Sequence, residues 1–414
     1  MDITNRLNTE IMKKQYLVLL FFAGFLAFFT SCKNDKTHKA LIITGQSNHD
    51  WKTSSAALKQ ILDETNLFSS EIATSPDKGG DMSSFNPDFS KFKLVVLDYV
   101  GDSWNDKTKA AFVKYVENGG GVVVYHESCM AFPEWKEYND IIGLGGWGKR
   151  NETAGPYMYY KRNELVVDTT SGIAGSHGKS REFMVRTRKA DHPVMKGLPA
   201  RWMHGEDELY SQLRGPGKNL EILATAYADT VPGGGTMRDE PMLMAITYGK
   251  GRIFSTVMGH AGENGGPAMH CSGFTVTLQR GAEWAATGNV TQKVPFDFPS
   301  AAGVVTRADY KELTLEDALA NIGTYDIPKS TRNLTCLQNY IRNHSNDSKE
   351  MQRVEQMMGK VLAGDASAEA KKLLLRELSW MGTDISVPAI QKLATDPAIK
   401  DEAEYALARL GKGK

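Results

Sequence analysis

The sequence carries no net charge: Lys+Arg and Asp+Glu both number 49 in 414 residues. No basic stripe breaks that balance, so counterion release offers no basis for nucleic-acid binding and no such partner is expected. Cysteine is scarce. The 4 that occur have no regular spacing, which excludes a disulfide framework and a CxxC metal site. There is no HExxH motif. Apolar runs are also short: the longest, Tyr16 to Phe29, spans 14 residues, against the roughly 20 that cross a bilayer. The chain is nonetheless too long for one core, and a composition of 41% hydrophobic and 24% charged residues is that of a globular protein with two or three units.

The apolar run has another use. Met12-Lys-Lys-Gln precedes it as a positive segment, and Thr30-Ser-Cys32 follows with small residues and a cysteine. This resembles a bacterial lipoprotein signal, with Phe29 standing where Leu is usual. The expectation is a signal peptide over 1–32, lipidation of Cys32, and a polar linker over 33–39. The protein would then be an exported lipoprotein, held by its lipid on the periplasmic face of a membrane or on the cell surface.

From residue 40 to 299 strands and helices alternate. Ala40–Thr44, Phe68–Thr74 and Phe92–Leu97 read as strands. A fourth lies in Gly119-Gly-Gly-Val-Val-Val-Tyr-His-Glu-Ser128, whose β-branched run has no polar face. Such a strand belongs in the middle of a parallel sheet with helices above and below. Thr53 or Ser54 is the expected cap of one helix, and Asn105 or Asp106 of the next. The alternation lapses between Phe132 and Leu220, with a helix expected over Pro133–Ile142 and short strand ends at Glu182–Arg186 and Asp207–Tyr210. Met242–Tyr248 and Arg252–Met258 read as a hairpin, and Phe274–Ala286 as a closing helix. The fold class is α/β, a doubly wound, mainly parallel sheet. A linker over 300–310 leads to an all-helical region over 311–414. Its endings Trp380-Met-Gly382 and Arg409-Leu-Gly411 resemble a pair of HEAT-like repeats. We read that region as a buttress, or as a docking module for a protein partner.

Seven of the 9 histidines lie between His49 and His270. His49, His126 and His260 follow strands and should meet at one sheet edge, the edge where such folds bind ligands. A single histidine beside a strand is more often a hydrogen-bonded core group; three at strand ends with a carboxylate cluster favour chemistry. In His204-Gly-Glu-Asp-Glu208 an extended chain points Glu206 and Glu208 one way and Asp207 the other. Glu208 is the functional choice and Glu206 a solvated one. The catalytic set is therefore His126, Glu208, His260 and His49. Expected substrate contacts are Trp51, Asp98, Trp104, Glu127, Trp147, His177, His204 and Asp207. No cofactor is required by any motif, yet His126, His260 and Glu208 from separate loops would suit a divalent metal such as zinc.

Several motifs occur in series: Thr44-Gly-Gln-Ser-Asn-His-Asp-Trp51, the stretch 119–126, Phe132-Pro-Glu-Trp-Lys-Glu-Tyr138, Ser176-His-Gly178 and Asp191-His-Pro-Val194. They continue with Asp207-Glu-Leu-Tyr210, Tyr248-Gly-Lys-Gly-Arg252, Met258-Gly-His260 and Arg280-Gly-Ala-Glu-Trp-Ala285. In this order they resemble the ThuA-like (trehalose-utilisation) family. The resemblance implies a flavodoxin-like fold related to class I glutamine amidotransferases, and a sugar substrate such as a 3-keto-glycoside. A base such as His126 or Glu208 would then take the proton beside the carbonyl, leading to elimination, hydrolysis or isomerisation. Two other readings stand beside this one. A non-catalytic carbohydrate-binding lipoprotein would use the same loops, and an amidotransferase-like hydrolase would need Cys129 as nucleophile. The turn His126-Glu-Ser-Cys129 lacks the G-x-C-x-G context of that hydrolase, and His260 and Glu263 are not spaced as its His-x-Glu pair.

Overall fold

The computed structural model describes residues 37–229, 235–262, 265–325 and 331–412. The expected signal peptide and Cys32 lie outside the described residues. Among those described, no helix is long and apolar enough to cross a membrane.

Strands β1 (His38–Thr44), β2 (Phe68–Thr74), β3 (Leu94–Leu97), β4 (Gly121–Tyr125) and β11 (Gly251–Thr256) form the parallel half of the sheet, in the order β2-β1-β3-β4-β11. That order is the flavodoxin-like one, and it puts a topological switch between β1 and β3. Every residue of β3 and β4 is buried. This follows from their unbroken apolar and β-branched runs: a strand with no polar side is stable only where both faces are covered. Helices Trp51–Asp63 and Ser272–Thr287 cover one face, and Asp106–Glu117 and Lys136–Ile142 pack on other parts of the sheet. Asp50 caps the helix Trp51–Asp63 by accepting from the Thr53 amide, where Thr53 or Ser54 was expected; Asn105 caps Asp106–Glu117.

The other half of the sheet is antiparallel. β10 (Arg238–Tyr248) turns into β11 through Gly249-Lys250, with φ +57° at Gly249. β9 (Leu220–Ala228), β7 (Arg181–Thr187) and β8 (Arg201–Asp207) follow outward in that order. β5 (Tyr157–Lys161) and β6 (Glu164–Asp168) make a hairpin beside β10. No sequence signal announces this hairpin: its turn is Arg162-Asn163, both at positive φ and without a glycine. The strand end expected at Asp207–Tyr210 is absent, since β8 stops at Asp207. The expected helix at Pro133 begins only at Lys136.

Beyond the sheet, helices Leu315–Ile322, Arg332–His344, Ser348–Ala363, Ala368–Met381, Val387–Leu393 and Lys400–Arg409 bury a second core around Leu337, Val354, Met358, Leu374 and Leu378. The connecting stretch is packed rather than loose. Ser272 donates to the Val305 carbonyl at 2.8 Å and Arg307 to that of His270 at 2.7 Å. Asp297, fully buried, pairs with Arg307 and with Arg332.

Candidate active site

Four loops converge at the carboxyl edge of the parallel strands. His49 lies between β1 and its helix, its amide donating to Ser47 Oγ at 3.0 Å. His126 directly follows β4 and has φ +39°. A left-handed backbone costs a residue with a Cβ on the order of 1 kcal/mol or more, and such strain gathers at working sites. The turn is fixed from the side: His126 Nδ1 donates to the Val257 carbonyl at 2.7 Å, which leaves the Nε2 lone pair facing inward. His260 follows β11. The fourth group, Glu208, comes from the antiparallel half.

Asp207 sets the positions of the last two. Its carboxylate accepts from the amides of Glu208 at 2.7 Å, Gly259 at 2.7 Å and His260 at 3.1 Å, and from His204 Nε2 at 2.7 Å. Because β8 ends there, the chain no longer alternates in the extended way expected. Glu206 is exposed, Asp207 buried, and Glu208 turned toward the imidazoles. One Glu208 oxygen stands 3.3 Å from His260 Nδ1, 3.8 Å from His49 Nε2 and 3.9 Å from His126 Nε2; the other is 3.8 Å from His177 Nδ1. The rings of His49 and His260 meet edge to face at 4.7 Å, and Tyr210 stacks on His126 at 4.4 Å.

The cluster is electrostatically uneven. Burial lowers the His126 pKa, favouring the neutral ring, although Asp207 and Glu127 oppose it. Glu208 beside it raises that of His260. Burial would raise Glu208, but His260 and His49 outweigh it and hold the carboxylate well below its usual range. His204 is pushed up to about 10: burial opposes the charge, and Cys271 and Asp207 overcome it. Burial and the nearby Glu127 push Asp98 well above the ordinary value.

The expected substrate contacts divide. Trp147 is half-buried and His177 exposed, and Trp147 packs on Tyr210 at 4.7 Å and on His177 at 5.9 Å, forming a wall beside the cluster. Trp51 and Trp147 line a cleft of about 540 Å³ with Ser47 and Asn48. The others are corrected by burial. Asp98 accepts from Thr44 and Ser54 hydroxyls beneath β1 and β3. Trp104 sits among Phe85, Phe89, Phe112 and Trp135. His204 and Asp207 are sealed behind the cluster, and Glu127 is buried against Ser47 at 3.0 Å. None of these five presents a surface to a sugar; they hold the loops that do. Tyr210 is buried too and braces His126 from behind, a supporting role not assigned to it from the sequence. Its place two residues after Glu208 in the Asp207-Glu-Leu-Tyr210 motif was the available signal.

The cysteines do not support a nucleophile. Cys129 is fully buried and burial pushes its thiol up to about 12, so the reactive thiolate is absent at neutral pH. Cys271 lies against His204, but Cys271, His204 and Asp207 are all sealed from solvent. Cys129→Ala should leave turnover of any substrate within about twofold of wild type, since a core thiol off the reaction path contributes packing alone; a loss of several orders of magnitude would restore the amidotransferase reading.

Fold and site together define a flavodoxin-like α/β protein with a histidine–carboxylate cluster at its strand ends. Residues 39–285 match the ThuA family, described as trehalose utilisation, and the chain belongs to that family. The match ties the protein to carbohydrate use. A solved ThuA-like protein from Parabacteroides merdae is 51% identical, with a TM-score of 0.65 over 67% of this chain and 100% of its own. Another, from Bacteroides uniformis, is 18% identical, with a TM-score of 0.43 over 62% of this chain and 94% of its own. No curated protein matches the chain.

Proposed function

We propose that this protein is an exported carbohydrate enzyme that acts on a 3-keto-glycoside by removing the proton next to the carbonyl. One observation carries the reading: three imidazoles and Glu208 converge at the carboxyl edge behind a wall of Trp147, His177 and Tyr210. Flat rings beside a polar cluster suit a sugar, whose C–H face stacks while its hydroxyls bond. The ketone makes the neighbouring C–H acidic, so a base within reach and a positive group at the oxygen are what the reaction needs. His126 and Glu208 form the floor, with His126 fully buried. His177 is the most exposed imidazole near the cluster, at 37%, and its Nδ1 is engaged by the Gly178 carbonyl, leaving Nε2 to accept the proton. The carbonyl oxygen faces the cluster, where positive charge stabilises the enolate; Glu208, an anion, and His126, with its lone pair inward, hold that charge rather than supply it. Loss of the glycosidic group, or return of the proton at the adjacent carbon, completes elimination or isomerisation. A lipid at Cys32 would hold the enzyme at a membrane, and the helical region, as a HEAT-like module, would buttress the sheet.

The test is incubation with 3-keto-glycosides prepared by a dehydrogenase, following released aglycone or isomerised sugar. His177→Ala should lower kcat by about 10²–10⁴-fold while sugar binding persists, the usual worth of a positioned general base. Binding without turnover in the wild-type protein would instead mark a carbohydrate-binding lipoprotein.

A further inference from the structure

We propose that His49, His126, His260 and Glu208 bind one divalent transition-metal ion. One nitrogen from each histidine and one Glu208 oxygen all lie within 4.8 Å of one another. Ligand atoms at about 2.0–2.1 Å from a tetrahedral zinc stand roughly 3.3–3.4 Å apart. The contacts of 3.3 to 3.9 Å between Glu208 and the imidazoles are close to that, and the widest gap closes by small side-chain rotations.

The hydrogen bonds support a cation more than a self-contained cluster. His126 Nε2 is buried with no hydrogen-bond partner, and His260 Nδ1, 3.3 Å from Glu208, is not aligned for one; His49 turns Nε2 toward Glu208 at 3.8 Å and leaves its buried Nδ1 unpaired on the other side of the ring. Leaving such atoms unpaired costs on the order of 1–3 kcal/mol each, so a cluster of them calls for an occupant. His126 has the arrangement of a metal-ligating imidazole, one nitrogen tied to a backbone carbonyl and the other presented to the centre. Asp207 supplies the outer support by gripping the amides of Glu208 and His260. Three neutral imidazoles and one carboxylate offer N and O donors with a single negative charge. That set suits zinc, or another divalent ion of the first transition row, better than calcium or magnesium, which prefer oxygen.

The ion's chemical role rests on the keto-sugar reading. It would polarise the ketone oxygen, while the carbon-bound proton passes to His177, which stands outside the ligand set. Its binding does not depend on that reading and is measured without sugar.

The experiment strips the full chain with chelator, then titrates it with ZnCl₂ and separately with CoCl₂, following heat, melting temperature and the visible Co²⁺ spectrum. Wild type should take up one equivalent, melt higher with metal, and show the absorption of imidazole-ligated cobalt. His126→Ala and Glu208→Gln should each weaken binding at least about 100-fold, the upper range even for loss of an outer-shell partner. His177→Ala should bind as wild type does. Circular dichroism verifies that the variants are folded; where one is not, the cobalt spectrum of the other decides. Absence of stoichiometric uptake by wild type, or equal uptake by the folded ligand variants, overturns the metal site. Metal uptake with no keto-glycoside turnover upholds the site and removes the sugar chemistry; turnover that survives complete stripping upholds the sugar chemistry and removes the ion's part in it, uptake alone deciding the site.

Discussion

Asp207→Ala should lower stability by about 3–5 kcal/mol, read from urea unfolding, and remove activity with it. The cost is that of breaking a buried, hydrogen-bonded pair by deleting one partner. His204 loses its counter-charge in a place without solvent, and the amides of Glu208, Gly259 and His260 lose their acceptor together. Three of these four groups also position the cluster, so a folded remnant would have His260 and Glu208 out of register. Asp207→Asn keeps the shape and one acceptor oxygen while removing the charge, and should cost less, about 1–3 kcal/mol. A change below about 1 kcal/mol for the alanine variant would mean that the carboxylate is not the staple described.

Asp297→Ala should be comparably severe, again about 3–5 kcal/mol, but with its effect centred far from the cluster. Asp297 accepts from Arg307 Nε and from Arg332 Nε, both at 3.0 Å, and Arg332 opens the helix Arg332–His344. Removing the carboxylate leaves Arg307, 2% exposed, as a buried unpaired cation. Asn339 would still reach the Phe296 and Phe298 carbonyls, so the helical region should loosen rather than detach. Hydrogen exchange would report faster opening of Arg332–His344, with β3 and β4 protected as before. Arg332→Met should cost less, because the Arg332 side chain is 18% exposed and its loss leaves Asp297 paired with Arg307.

The sequence by itself determined the parallel half of the sheet. Runs such as Leu94–Leu97 and Val122–Tyr125 have no polar side, and burial on both faces leaves them one place to be. It also determined that His49, His126 and His260 meet, because each lies in the loop after a strand of that half and parallel strands end together. The family was readable from motifs that keep their order. Tertiary structure alone decided the rest. Glu208 was the sequence's choice, but that Asp207 would hold it from behind depended on where β8 stops, since a one-residue difference in strand end reverses the side chains. The retreat of Asp98, Trp104 and His204 into the interior came from layers closing over them. Nothing in a strand-end position says whether the next layer leaves it open. Outside the β10–β11 hairpin, the antiparallel half followed from pairings such as β9 with β7 and β10, whose register is set by long-range burial, and from the β5–β6 hairpin, whose turn at Arg162-Asn163 has no glycine. Local pattern fixes which residues leave a strand; packing against distant segments fixes what they then touch.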